Sequence, residues 1–139
     1  MRATTSSNPT PAQQYRDINV RSDVEDASPH RLIQLLMARA LTKIGFAKRD
    51  MERQHTSEKG RHIGDSIEII NGLQASLNHR SSATLTANLD GLYDYMIRRL
   101  LEANVQNNVE ILDEVSALLQ EIKEAWDAIA SEHVSPSGS

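Results

Sequence analysis

The residues of this chain that could do chemistry are its five histidines and its many carboxylates. Glu52 and His55 have the Glu-x-x-His spacing with which some helical bundles hold two iron ions. Such a site needs a second pair of the same kind and two further inward carboxylates, and the sequence contains no second pair. The chain has no cysteine, which excludes thiolate metal sites and cysteine nucleophiles. We therefore expect His55 to be a surface residue and predict no catalytic site, no metal site and no cofactor.

The composition narrows the class of protein. The chain is 39% hydrophobic and 24% charged, as in ordinary soluble domains, and only 4% aromatic, which favours an aliphatic helical core over a β-sandwich. A net charge of −4 argues against nucleic acid as a partner. The sequence contains no run of about eighteen apolar residues, so no membrane insertion is expected. Without cysteine and without a recognisable secretory signal, the chain is expected in the cytoplasm.

Apolar residues recurring every three or four positions predict four long helices. Connections of about three to five residues between such helices make neighbours antiparallel. The sequence therefore predicts an all-α fold, an antiparallel up-down four-helix bundle with an N-terminal capping segment. The bundle domain is predicted at residues 15–131, with disordered ends at 1–14 and 132–139. The predicted helices cover about 29–54, 57–78, 82–104 and 108–131.

Residues at the predicted helix ends have suitable capping chemistry. Ser28 followed by Pro29 is typical of an N-cap and a first helical position. Asn107 or Asn108 can cap the fourth helix, and Ser81 or Ser82 the third. The second helix contains Gly60 and Gly64, each of which costs about 1 kcal/mol relative to alanine unless close packing compensates.

One apolar stripe on each helix is predicted to form the core. On the first, second and fourth helices the stripes comprise Ile33, Leu36, Ala40, Ile44, Ala47 and Met51; Ile63, Ile67, Ile70, Leu73 and Leu77; and Leu112, Val115, Leu119, Ile122, Trp126 and Ile129.

The segment LYDYMIRRLLEAN, residues 92–104, is more apolar than one stripe requires. At about 100° per residue its apolar side chains cover an arc of about 180°, whereas a core stripe is commonly a little over 100° wide. Leu92 falls in the part expected to be buried, and Tyr93, Ile97 and Leu101 form one flank of the arc. Either this helix buries the whole arc against two neighbours, or the flank stays exposed as a groove for an apolar partner.

Three runs of the sequence together resemble the FliS family of flagellar export chaperones. They are ASPHRLIQLL, ANLDGLYDYMIRRLLEAN and NNVEILDEV, at residues 27–36, 87–104 and 107–115. The run from Leu-Tyr-Asp-Tyr-Met to Glu-Ala-Asn is the specific part. The similarity extends in order from about Tyr15 to Ile129, although the second helix matches only in its pattern.

The resemblance implies a cytoplasmic helical bundle that binds the C-terminal segment of newly made flagellin. Binding would prevent premature polymerisation of flagellin and keep it competent for export. The flagellar export gate and other flagellar regulators are further candidate partners. The resemblance also implies that Tyr15 belongs to a segment capping the groove until the client displaces it. The partner-binding residues that it implies are Tyr15, Leu32, Ile33, Leu36, Tyr93, Met96, Ile97, Leu100, Leu101 and Asn104.

The sequence departs from the family pattern at two places. Met37, Ala38 and Arg39 stand where the family usually has a tyrosine, an acidic residue and a glycine, which affects contacts of the first helix and the choice of flagellin. Asn108 replaces a common aspartate, a harmless change because both residues cap helices. The alternative to a monomeric or weakly dimeric chaperone is a structural or regulatory bundle whose extra apolar flank closes a homodimer. A di-metal oxidoreductase rests on Glu52 and His55 alone.

Overall fold

The computed structural model describes residues 28–77 and 83–134, with residues 83–85 and 130–134 described in backbone only. These ranges form four helices, α1 (Pro29–Glu52), α2 (Thr56–Ala75), α3 (Ala83–Gln106) and α4 (Val109–Val134). The predicted capping segment with Tyr15, the end segment 1–14 and the predicted caps Ser81 and Ser82 lie outside the described residues. No helix in the two described ranges is long and apolar enough to cross a membrane.

The chain divides into two units, residues 1–32 and 33–139. The described part of the first unit is Ser28 and the first turn of α1. The Ser28 hydroxyl accepts a hydrogen bond from the Arg31 amide at 3.1 Å, and the Ser28 carbonyl accepts one from the Leu32 amide at 2.9 Å. Both contacts are those of a helix N-cap, so the predicted start of α1 is confirmed.

The four helices follow one another as antiparallel neighbours, as the sequence predicts. Polar side chains join each helix to the next and α4 back to α1. The contacts are Lys43 with Asp65 between α1 and α2 at 3.2 Å, Gln74 with Asp90 between α2 and α3 at 2.8 Å, Arg99 with Glu114 between α3 and α4 at 2.8 Å, and Lys48 with Asp113 between α1 and α4 at 2.9 Å. Exposed pairs of this kind contribute little stability, so their main effect is to fix the register of the helices.

The core lies between the helices and is aliphatic. Its fully buried members include Ala40, Ile44, Ala47, Ile63, Ile70, Leu73, Met96, Leu100, Leu112, Val115 and Leu119. Ile33, Leu36, Ile67, Leu77, Ile122 and Trp126 are partly buried and pack against it. Of the predicted core residues, Ile129 is wrongly placed, because it is 41% exposed. It lies beyond Asp127, where α4 meets Gln34 of α1, and periodicity does not tell where a neighbouring helix stops covering the stripe.

Helix α4 begins at a cap provided by Asn108, whose side-chain oxygen accepts the amides of Glu110 at 2.9 Å and Ile111 at 3.4 Å. Asn107 is not the cap. It has a φ of 54° and ends α3, and the Asn108 amide donates to the Ala103 carbonyl at 3.1 Å, the pattern of a Schellman motif. At its other end α4 continues to Val134, three residues past the predicted boundary at 131.

The glycines inside α1 and α2 are not required by close packing. A Cβ added at Gly45 or at Gly64 would have no neighbouring atom within 4 Å. We expect Gly45→Ala and Gly64→Ala each to raise the free energy of unfolding by about 0.5 to 1 kcal/mol, because alanine loses less backbone entropy in a helix. Urea unfolding followed by circular dichroism measures the change. A loss of stability at either position would mean that a helix neighbour occupies the space beside that glycine.

Candidate functional site

Four side chains of α3 form a row with a spacing of four residues, Tyr93, Ile97, Leu101 and Val105, named here the apolar row. Their exposure rises along the helix. Tyr93 is 2% exposed, Ile97 is partly buried against the core, Leu101 is 52% exposed and Val105 is 85% exposed. A row spaced at four residues drifts slowly around a helix, so it leaves the core at one end and reaches the surface at the other. Leu101 and Val105 are two of the three large apolar residues that are exposed among the described side chains.

The structure excludes one of the two alternatives for Tyr93 and contradicts the expectation for Leu92. Tyr93 does not lie on an exposed flank, since its ring belongs to the core. Leu92, expected in the buried stripe, is only partly buried and lies outside the core cluster. The centre of the stripe is formed by Met96, Leu100 and Ala103, which are fully buried. The apolar arc is therefore rotated toward Tyr93 relative to the predicted one, and its exposed edge begins at Ile97.

The register between α2 and α3 places glycines beside the exposed end of the apolar row. Gln74 near the end of α2 contacts Asp90 at 2.8 Å, and the Lys59 ammonium near its start donates to the Asn104 carbonyl at 3.1 Å. Counting residues between these two contacts along antiparallel helices places Gly64 within about two residues of the level of Leu101, and Gly60 within about two residues of the level of Val105. A Cβ at either glycine would meet nothing within 4 Å. The exposed end of the apolar row thus lies at the level of two positions of α2 that have no side chain, and the row and these two glycines together are named here the α2–α3 seam.

The hydroxyl of Tyr93 has no hydrogen-bond partner among the described residues, unlike that of Tyr95, which donates to Glu114. No fully buried side-chain oxygen or nitrogen in the described ranges lacks a partner, so the Tyr93 oxygen must touch solvent although its ring is covered. Burial raises the pKa of Tyr93 to about 12. The hydroxyl is therefore protonated at neutral pH and able to donate a hydrogen bond.

The remaining residues that the resemblance implies fall into separate groups. Met96 and Leu100 lie in the core beneath the apolar row. Asn104 is partly buried, and its carbonyl accepts from Lys59. On α1, Ile33 and Leu36 are partly buried and pack against the core cluster. Leu32 is partly buried within the first unit, and Tyr15 lies outside the described residues. The structure thus gathers the α3 residues into one surface with its supporting core layer.

Sequence reasoning missed Val105, Gly60 and Gly64 as parts of this surface. Val105 follows Leu101 by four residues, so extending the flank by one helical turn would have found it. In the sequence the two glycines indicate only a weakness of α2. Their position beside α3 depends on the register between the helices, which a single sequence does not contain.

A concave region lies at the end of the bundle where α1 meets α2 and α3 meets α4. It is a cavity of about 410 Å³ lined by Asp50, Met51, Gln54, Thr56, Lys59 and Asn107. Lys59 is buried, and its ammonium donates to the Asn104 carbonyl and, at 3.0 Å, to the Asn107 side-chain oxygen. These groups already satisfy one another, and the lining is mainly polar, so the cavity is less suited than the seam to an apolar partner.

No metal chemistry emerges from the described side chains. Glu52 and His55 are both exposed, at the end of α1 and just before α2. His62 instead contacts Asp50 at 2.6 Å and stacks obliquely on Phe46. Within residues 28–77 and 83–134, no three histidine or carboxylate side chains lie close enough together to hold a metal ion.

The face of α3 opposite the seam forms side-chain hydrogen bonds with α4. Glu114 accepts hydrogen bonds from the Tyr95 hydroxyl at 2.5 Å and from the Arg99 guanidinium at 2.8 Å. Arg99 also pairs with Glu102 on its own helix. The hydrogen bond from Tyr95, followed by the one from Arg99, lowers the pKa of Glu114. These contacts between α3 and α4 fix the rotation of α3 about its axis, and therefore the direction in which the apolar row faces.

Because the folded-state pKa of Glu114 is lowered, its ionised form stabilises the fold above the unfolded-state pKa of about 4.3. That stabilisation is lost as the pH falls through the lower, folded-state value. We expect Glu114→Gln to melt slightly below the wild type at pH 7 and to match it in strong acid. The effect is small because the Glu114 side chain is 41% exposed and solvent screens its contacts. Melting curves recorded from pH 7 down to strong acid test this expectation. Glu68→Gln is the control at an exposed position, and no such pH-dependent difference from the wild type is expected for it.

Comparison with known proteins adds three sequence relatives to this geometry. A family model described as "Flagellar protein FliS" matches residues 11–133. Flagellar secretion chaperone FliSB of Pseudomonas aeruginosa is 49% identical over 118 residues, which cover 85% of this chain and 94% of the relative. Flagellar secretion chaperone FliS of Salmonella typhimurium is 41% identical over 117 residues, 84% of this chain and 87% of the relative. The protein of the same name from Vibrio cholerae is 36% identical over 121 residues, 87% of this chain and 89% of the relative.

A solved structure agrees with the fold. The crystal structure of a bacterial flagellar chaperone superimposes with a TM-score of 0.72 and covers 88% of this chain and 99% of its own. At 16% sequence identity this likeness supports the all-helical architecture and nothing finer.

Proposed function

We propose that this chain binds the C-terminal segment of flagellin along the α2–α3 seam, because it belongs to the FliS family of flagellar secretion chaperones. The single observation that carries the choice of surface is the exposure of Leu101 and Val105 at the end of the apolar row. Apolar side chains exposed side by side are a common feature of protein-binding surfaces. The chain is, as a member of this chaperone family, not an enzyme.

The client in this proposal is an apolar-patterned chain that has not yet folded into a filament. The apolar positions of flagellin that a filament would bury are the ones that the seam covers, so binding and polymerisation compete directly. Release then requires a competing interaction and no chemical step. The site of action that this proposal implies is the cytoplasm, where flagellin is made before export, with the export gate and other flagellar regulators as later partners.

The residues of the proposed site differ in their roles. Ile97, Leu101 and Val105 offer side-chain surface to the client, and Asn104 lies between them as a partly buried polar neighbour. Met96 and Leu100 are fully covered, so their role is to support the row from beneath. Ile33 and Leu36 on α1, together with Leu32 and Tyr15, are proposed as further contacts along the path of a long client.

The free energy of binding favours a client segment that is longer than the seam. Ordering a disordered client costs about 2 to 5 kcal/mol of the interaction energy, and such complexes commonly bury about 1,000–3,000 Å². The side chains of Ile97, Leu101 and Val105 cannot supply that area alone. The proposal therefore includes Ile33 and Leu36 on α1 as further contacts, which would add to the area buried by a long client.

Titration calorimetry of the full chain with a peptide of the C-terminal segment of flagellin from the same organism tests the function. We expect saturable one-to-one binding with a negative heat-capacity change, the mark of apolar burial. The absence of heat at two temperatures would refute flagellin binding. A mass measurement in solution, showing a dimer whose interface includes Leu101, would then favour the homodimeric bundle instead.

A further inference from the structure

We propose that the Tyr93 hydroxyl, which has no hydrogen-bond partner among the described residues, donates a hydrogen bond to a main-chain carbonyl of the client bound in the seam. This inference rests on the proposed function and adds to it one polar contact with a defined direction. The observation behind it is a side chain that is only 2% exposed, while its hydroxyl makes no hydrogen bond to the described residues and touches solvent.

The place of Tyr93 in α3 suits this role. Tyr93 begins the apolar row, one helical turn before Ile97 and two before Leu101. A client lying on that row must bring its own main-chain carbonyls out of water, and each such carbonyl that finds no donor costs free energy. A carbonyl has two lone pairs, so it can accept from Tyr93 whether the client is extended or helical.

The protonation state fits a donor. Covering the ring raises the pKa of Tyr93 to about 12, so the phenol keeps its proton throughout the physiological range. Tyr95, two residues away, provides the contrast, because its hydroxyl already donates to Glu114 and is not available to a client. The Tyr95 hydroxyl thus contributes to the fold, whereas in this proposal the Tyr93 hydroxyl contributes to binding the client.

Phenylalanine substitutions at Tyr93 and at Tyr95 distinguish these two roles. Tyr93→Phe removes an oxygen without a protein partner, so the melting temperature should not fall, whereas the Kd for the C-terminal flagellin peptide should rise about fivefold, as for the loss of one neutral hydrogen bond. Tyr95→Phe should do the reverse, lowering the melting temperature and leaving the Kd unchanged. An unchanged Kd for Tyr93→Phe would overturn the inference, and so would a loss of stability in that variant, since the hydroxyl would then already have a partner in the free protein.

A spectroscopic measurement tests the contact directly. The chain has three tyrosines, so a protein labelled with ¹³C at the tyrosine ring carbon bearing the oxygen gives three resonances, assigned through the two phenylalanine variants. Adding the peptide should shift the Tyr93 resonance and leave that of Tyr95 in place. If the wild type binds the peptide and the Tyr93 resonance does not move, the inference fails while flagellin binding stands. If the wild type does not bind at all, the proposed function itself fails.

Discussion

Leu101→Asp is expected to weaken binding of the C-terminal flagellin peptide by about 100-fold or more while the protein stays folded. The Leu101 side chain is 52% exposed in the free protein, so an aspartate there keeps its hydration and changes stability little. In the complex the same carboxylate would lie against apolar client side chains without a counter-charge. A hundredfold loss corresponds to about 2.8 kcal/mol, which is modest for an unpaired charge removed from water.

The neighbouring residue supplies the matched control. Leu100 is fully buried, so Leu100→Asp should unfold the protein, and Leu100→Ala should lower the free energy of unfolding by about 2 to 5 kcal/mol. Two leucines adjacent in sequence are thus expected to give opposite phenotypes, one in binding and one in folding. Ala117→Asp adds the same charge at an exposed position on α4, away from the seam. It should leave binding unchanged and lower the free energy of unfolding only by the helix-propensity difference of about 0.5 to 0.7 kcal/mol.

Calorimetry with the peptide and urea unfolding of each variant together decide between these roles. If Leu101→Asp binds like the wild type, the α2–α3 seam is not the client surface, and the residues of α1 become the first candidates. If Leu101→Asp binds normally but changes a measured dimer into a monomer, the exposed row serves self-association. If it unfolds the protein, Leu101 is covered in solution by a part of the chain other than residues 28–77 and 83–134.

Helical periodicity predicted much of this fold. A step of three or four residues identified the four helices and the central core positions, among them Ala40, Ile44, Leu112 and Val115, because a helix that buries one face must repeat its apolar residues with the period of the helix. The N-cap Ser28 followed from local chemistry alone. Such features depend on residues close together in sequence, and a single sequence contains them.

The candidate site was predictable only in part. The surplus of apolar residues in α3 was visible, but its rotation was not, since Tyr93 turned out to be covered and Leu92 only half-buried. Periodicity gives the angle of a side chain around its own helix. It does not give the positions of the neighbouring helices, which decide where the buried arc stops. Met37 illustrates the same limit, since it is fully buried although the sequence marked it only as a departure from the family pattern.

Lys59 is the residue that sequence reasoning had least chance of placing. Its ammonium contacts Asn104 and Asn107, which lie more than forty residues further along the chain. A lysine near the start of a helix is ordinarily expected on the surface. Here it covers the carbonyl end of α3, where a positive charge is favourable with respect to the helix dipole. It also ties α2 to the loop between α3 and α4 at the open end of the seam.

Lys59→Met is expected to lower the free energy of unfolding by about 1 to 3 kcal/mol, because the methionine fills a similar volume while the Asn104 carbonyl and the Asn107 side chain lose their donor. Lys48→Met is the matched control. It removes an ion pair with Asp113 whose lysine side chain is 40% exposed, so little change should be measurable. Urea unfolding of both variants gives the comparison, with an unchanged slope indicating the same unfolded state. Equal stability of the two variants would mean that water in the adjoining cavity replaces the ammonium, and that Lys59 does not hold α2 and α3 together at the end of the seam.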